Sequence, residues 1–229
     1  MAQLSLITVI DVLESQYGAP EPPLVTRAFD IILFENVAYL VDDERRRQVW
    51  DRFRREIGAR PDAILAAPLG VTANVIKDGG MHPPRRAAKL RDAARIAQEE
   101  FAGDLDGALK LPVAKARRAL KRFPGVGDPG ADKILLLTRT QPVLALDSNG
   151  LRALVRLGFC QESSNYAATY RAVQAAIDED LRDSDLASDF GWLIAANQLL
   201  RRHGQTLCKN TKPLCSRCPL AASCPAAEL

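Results

Sequence analysis

Two sets of residues in this 229-residue chain have the types and spacing to do chemistry. The first is a cysteine quartet near the C-terminus, Cys208, Cys215, Cys218 and Cys224, spaced C-x6-C-x2-C-x5-C. Four thiolates so close in sequence could ligate zinc, pair as disulfides or hold an iron–sulfur cluster. Zinc sites typically use two short C-x2-4-C hooks, and only Cys215 and Cys218 form one here. Disulfides belong to oxidising compartments. Cys160 stands outside the spacing and reads as a small buried apolar residue. The second set is carboxylates. Asp147 follows the apolar Val143-Leu144-Ala145-Leu146 and precedes Ser148-Asn149, which puts it at a helix N-terminus where free amides stabilise an anion. It reads either as a plain N-cap or as a fixed charge able to stabilise a developing cation and orient a water. Glu35 lies inside the apolar run 29–40. A buried acid is costly unless it is paired, neutral or useful, and Arg27 is a candidate partner.

A glycine hairpin comes before Asp147. Residues 117–123 are helix-compatible, Pro124-Gly125-Val126-Gly127 cannot continue a helix, and Asp128 with Pro129 reads as an N-cap and first helical position. The pattern is helix, tight hairpin, helix. It is either an ordinary helical turn or a place where backbone amides meet a phosphate. Basic residues cluster at Arg45-Arg46-Arg47, at Arg85-Arg86, over 115–122 and at Arg201-Arg202, whereas acidic residues dominate 178–189. The net charge of +3 is too small to argue for a polyanionic partner, although a basic stripe near the hairpin would bind phosphates. Each cluster taken alone also fits a solvated helix face.

Phe123-Pro124-Gly125-Val126-Gly127, Ala131 four residues on, Asp147 twenty residues beyond Gly127 and the cysteine spacing follow one another in an order that resembles the helix-hairpin-helix DNA glycosylases of the endonuclease III and adenine glycosylase group. The similarity is clear from about Ile76 to Leu229. It implies a [4Fe-4S] cluster on Cys208, Cys215, Cys218 and Cys224, in a loop that contacts DNA. It implies that Asp147 stabilises an oxocarbenium-like sugar and that Glu35 protonates the departing base. Gly125, Val126, Gly127, Pro129, Gly130, Lys133 and Asn149 become DNA-binding residues. Met81, in the loop Lys77-Asp78-Gly79-Gly80-Met81-His82, becomes the wedge that fills the duplex when a nucleotide leaves. Members with strand-cleaving activity carry a lysine two residues after the second hairpin glycine; here that position is Pro129, which implies a monofunctional, hydrolytic enzyme. Lys133, one turn further on, is the alternative amine for a bifunctional glycosylase and lyase. A non-catalytic iron–sulfur lesion sensor is the alternative of another class. Where the family usually has glutamines, this chain has Tyr39, Leu40, Val41 and Asp42, which leaves the excised base open between adenine or another purine and uracil, thymine or a damaged pyrimidine.

The elements that must position these residues read as helices. Hydrophobic residues make up 47% of the chain, aromatics only 6%, and β-branched runs are short, which favours an all-α fold. Helical segments are expected over 1–17, 29–40, 43–57, 62–69, 71–76, 87–101, 106–111, 151–159, 166–181 and 186–203. With the resemblance, the expected organisation is two-lobed, a helical barrel lobe over 27–140 and a second lobe of 1–26 with 141–229, the cluster loop lying at 208–224. No window is long and apolar enough to span a bilayer, and no basic region precedes the first apolar stretch, so a cytoplasmic location is expected; the resemblance implies a nucleoid-associated monomer acting on double-stranded DNA.

Overall fold

The computed structural model describes residues 4–227. Those residues form twelve α-helices joined by loops and short 3-10 turns, with no strand among them. In chain order the helices are α1 (Leu6–Tyr17), α2 (Ala28–Val37), α3 (Asp43–Glu56), α4 (Pro61–Ala66), α5 (Leu69–Val75), α6 (Pro83–Phe101), α7 (Leu105–Ala108), α8 (Val113–Leu120), α9 (Asp128–Leu137), α10 (Ser148–Arg156), α11 (Tyr166–Asp180) and α12 (Phe190–Thr206). The all-α expectation holds, and the boundaries follow local chemistry. Ser5 caps α1 by accepting from the Thr8 amide, and Asp42 caps α3 by accepting from Arg45. α6 starts four residues earlier than its apolar spacing suggests because Pro83 and Pro84 occupy its first positions, where a missing N–H costs nothing. Among the described residues no helix is long and apolar enough to cross a membrane.

The chain divides into two compact units. One is Pro23–Gly127; the other combines the residues up to Pro22 with those from Asp128 onward. The sequence reading set the division at 140/141, whereas α9 goes with the cysteine-bearing unit. Its inward residue Asp132, 3% exposed, accepts a hydrogen bond from the Tyr170 hydroxyl of α11 at 2.7 Å, and Ala131, Ile134, Leu135 and Leu136 are buried.

In Pro23–Gly127, α6 is the central element and buries Ala87, Leu90, Ala93, Ala94 and Ala97 against α2, α4 and α5. Trp50 and Phe53 of α3 stack at 6.1 Å and close the core beside Phe34. In the other unit α12 is central, packing against α1, α9 and α10. The α10–α12 approach is close because both helices present glycine. A Cβ on Gly204 would lie 2.5 Å from the Asn149 carbonyl oxygen, and one on Gly150 would lie 3.3 Å from Leu200. Gly204→Ala should therefore destabilise the fold by about 1–3 kcal/mol, the usual cost of overpacking. Urea unfolding checks this, with Gly70→Ala, where an added Cβ meets nothing within 4 Å, as the comparison.

Candidate active site and cysteine loop

Asp147 ends an extended segment whose carbonyls are held by side chains. Gln174 of α11 donates to Leu144 O at 2.8 Å, and buried Asn197 of α12 donates to Ala145 O at 2.5 Å. Leu144, Ala145 and Leu146 are buried, so the segment delivers Asp147 to the start of α10 along a fixed path. There one carboxylate oxygen, Oδ1, accepts from the amides of Asn149 and Gly150, both at 2.9 Å. The other, Oδ2, accepts from Asn149 Nδ2 at 3.1 Å and lies 3.4 Å from Arg201 Nε. The side chain is 29% exposed. Asp147 is thus a true N-cap with one oxygen spent on the backbone and the other turned to charged and polar side chains. Tyr166, half-exposed at the start of α11, has its hydroxyl held above the usual tyrosine range by burial and, secondarily, by the Asp147 charge.

Two arginines one turn apart on α10 tie this cap to the cysteine loop. Arg152 donates to Asn149 Oδ1 at 2.9 Å, to Gly204 O at 2.8 Å and to Cys208 O at 3.0 Å. Arg156 donates to Lys209 O at 2.7 Å and Asn210 O at 3.1 Å, with Cys208 Sγ at 3.5 Å. Asn149 and Asp147 are therefore in direct contact, and a short path of hydrogen bonds leads from them to the first cysteine.

The four expected ligands, Cys208, Cys215, Cys218 and Cys224, line one cavity together with Leu157 and Leu207. All four are free thiols, as is Cys160, which lies apart from the cavity lining. Among the described residues no three His, Cys, Asp or Glu side chains meet closely enough to hold a single metal ion. The four thiols thus line one shared space, and an all-thiolate donor set is one that an iron–sulfur cluster or a zinc ion takes. Burial pushes the Cys218 and Cys224 thiols up, so these thiolates need a positive partner to persist, and a bound cluster supplies one. Cys224 Sγ lies 3.3 Å from Arg156 O, and Cys218 Sγ lies 3.7 Å from Nε2 of His203. His203 is 2% exposed and burial pushes it down to about 4, so it is neutral near pH 7, with the Tyr17 hydroxyl 3.1 Å from its Nδ1.

The remaining site residues of the sequence reading belong to other elements. Pro129, Gly130 and Lys133 lie on α9, all half-buried. Gly125, Val126 and Gly127 form the hairpin of the Pro23–Gly127 unit. Gly125 takes φ +81°, Val126 N donates to Phe123 O at 3.1 Å, and buried Phe123 stacks on Phe101. Asn36 of α2 donates to Pro124 O at 3.4 Å and anchors the hairpin from below, and Lys89 reaches towards Gly125. Met81 is 54% exposed in its loop.

Glu35 corrects the expectation of a buried acid. α2 turns Ile31, Ile32, Leu33, Asn36 and Val37 inward, and Glu35 faces out with its carboxylate 42% exposed. Its cation is Arg46 of α3 at 3.7 Å, while Arg27 pairs with Asp106 at 3.4 Å. Sequence reasoning also missed Arg46, Arg152, Gln174, Asn197 and Arg201. For Arg152 the signal was available, since it lies three residues from Asn149 on one helix face.

Arg152→Met leaves the Gly204 and Cys208 carbonyls without a donor and should cost about 2–3 kcal/mol. The check is urea unfolding of the variant beside the wild-type protein.

No family model matches the chain. It is 28% identical over 164 residues to endonuclease III of Sulfolobus acidocaldarius, covering 72% of this chain and 66% of that protein. It is 27% identical over 191 residues to thymine-DNA glycosylase of Aeropyrum pernix, covering 82% and 78%. The chain spans just under two thirds of the length of the endonuclease III relatives of Sulfolobus acidocaldarius and Bacillus subtilis, 66% of each. Its fold is that of a trapped endonuclease III–DNA covalent intermediate, with TM-score 0.74, 20% identity and coverage of 98% of this chain and 97% of that one. It also matches a thermostable thymine-DNA glycosylase with TM-score 0.72, 18% identity and coverage of 97% and 96%. In its helices and its hairpin the chain has the fold of the helix-hairpin-helix DNA glycosylases, and in sequence it is similar to endonuclease III and thymine-DNA glycosylase.

Proposed function

We propose that this protein is a base-excision-repair DNA glycosylase that removes a damaged or mismatched base from duplex DNA by hydrolysis and leaves the strand intact. The observation that carries the reading is Asp147, a carboxylate with Oδ1 fixed by two backbone amides on a side chain that is 29% exposed. In the proposed reaction the bond from C1′ to the base nitrogen breaks and its electron pair leaves with the base, which takes up a proton. A water oxygen bonds to C1′ and a proton is released. Asp147 stabilises the positive sugar and orients the water; being held by amides, it needs no reorganisation as charge develops. Glu35 is the proposed donor of the base's proton. The hairpin Gly125-Val126-Gly127 with Pro129, Gly130, Lys133 and Asn149 is proposed to hold the strand, and Met81 to fill the vacated position.

The absence of strand cleavage rests on Pro129. A proline within a chain has no amine to form a Schiff base, and Lys133 is the remaining candidate on α9. The four cysteines are proposed to hold a [4Fe-4S] cluster, which when bound would fold the loop whose Lys209, Lys212 and Arg217 bring positive charge to phosphates.

The test is a panel of duplexes, each with one modified or mismatched base, scored with and without alkali. Cleavage only after alkali supports the proposal and names the base. Cleavage without alkali, trapped by borohydride and abolished in Lys133→Ala, would make the enzyme bifunctional. Binding without base release on any duplex would make it a lesion sensor.

A further inference from the structure

The loop that carries Met81 is held from beneath by one buried cation. Arg86, on α6, is 5% exposed, and its guanidinium donates only to backbone carbonyls: Nε to Met81 O at 2.9 Å, Nη2 to Ile76 O at 2.9 Å and Gly80 O at 3.0 Å, and Nη1 to Val37 O. Burial is the one cause that moves its pKa, downward, which agrees with a cation that has carbonyl dipoles and no carboxylate beside it. Val37 is the last residue of α2, where the helix dipole presents its negative end. One side chain thus ties the end of α2 to both ends of the 76–81 loop.

The backbone repeats the constraint. Tyr39 N donates to Gly79 O at 2.7 Å, and Tyr39 and Gly80 form an isolated bridge. A side chain at Gly79 or Gly80 would collide with the carbonyls of Val37 and Tyr39. From the far side, Arg52 pairs with Asp78 at 2.8 Å. Above this fixed base stand exposed apolar side chains, Met81 at 54% and, on the bridged segment, Leu40 at 74% with its backbone left-handed at φ +56°. Exposed Lys77 and Arg85 accompany them, so the apolar tips sit among cations suited to phosphates. A soft loop would fold its apolar tip back when meeting a duplex; a loop held this way keeps the tip outward.

We propose that Arg86 is a positioning residue that sets Leu40 and Met81 as one rigid apolar edge for insertion into duplex DNA where a nucleotide has left the stack. This rests on the glycosylase reading. It adds that a residue out of reach of DNA governs insertion, and that Leu40 inserts beside Met81.

The test uses the full protein and two duplexes, one intact and one carrying a tetrahydrofuran abasic analogue opposite 2-aminopurine. The wild-type protein should prefer the abasic duplex by about tenfold or more and change the 2-aminopurine fluorescence. Arg86→Lys, at a temperature where circular dichroism shows it folded, should lose most of that preference and of the fluorescence change, as should Met81→Ala and Leu40→Ala. Its affinity for the intact duplex should stay within about threefold. Adding Arg86→Lys to Met81→Ala should cause little further loss. If Arg86→Lys does not fold, Gly80→Ala, which strains the loop and leaves the cation in place, should give the same loss. Preference and fluorescence retained in the folded Arg86→Lys protein, or in Gly80→Ala, would overturn the inference alone. A wild-type protein indifferent to the abasic analogue would overturn the glycosylase reading and the inference with it.

Discussion

The cysteine-bearing unit depends on the close approach of α10 and α12 at Gly150 and Gly204. Because no Cβ separates the helices there, the first turn of α10 lies against the backbone of α12. Arg201 of α12 then reaches Asp147, and Arg152 of α10 reaches both Gly204 O and Cys208 O. The same contact therefore sets the candidate carboxylate and the start of the cysteine loop. Helix packing alone leaves such positions loose to within a rotamer; here hydrogen bonds to backbone atoms fix them.

In this arrangement a capping residue and the proposed reactive one are the same residue. An N-cap aspartate satisfies amides that helix geometry leaves unpaired, which contributes stability in any helix. Asp147 meets that demand with Oδ1 and keeps Oδ2 beside Asn149 and Arg201. Its capping role and its proposed chemistry do not compete, because they use different oxygens. In the other unit, Arg86 spends a buried charge on carbonyls to fix the outward direction of apolar side chains. Both devices hold a group that would be unfavourable if left to find its own position.

Much of this was legible in the sequence. Cysteine spacing, the hairpin and the apolar run before Asp147 are local patterns, and local patterns survive without coordinates. The basic clusters did not survive as clusters. Neighbouring helical residues point about 100° apart, so Arg85 is exposed while Arg86 is buried, and Arg201 meets Asp147 while Arg202 lies over the Tyr17 ring at 4.9 Å. Arg86 could have been read as inward, since it shares its face with Leu90, Ala93 and Ala97. Glu35 misled for the same reason: an apolar run looks buried throughout, yet a ten-residue helix has an outer face. Gln174 and Asn197 carry no local signal, because what they recognise, the carbonyls of 144 and 145, is distant in sequence.

The central claim is that one carboxylate serves as cap and as reactive group. It is tested most directly by measuring single-turnover base release and the thermal midpoint of Asp147→Ser side by side. Serine caps a helix nearly as well as aspartate but carries no charge, so the midpoint should move little while release falls by about 10²-fold or more. A variant with an unchanged midpoint and near-normal release would show that Asp147 is a cap and nothing else.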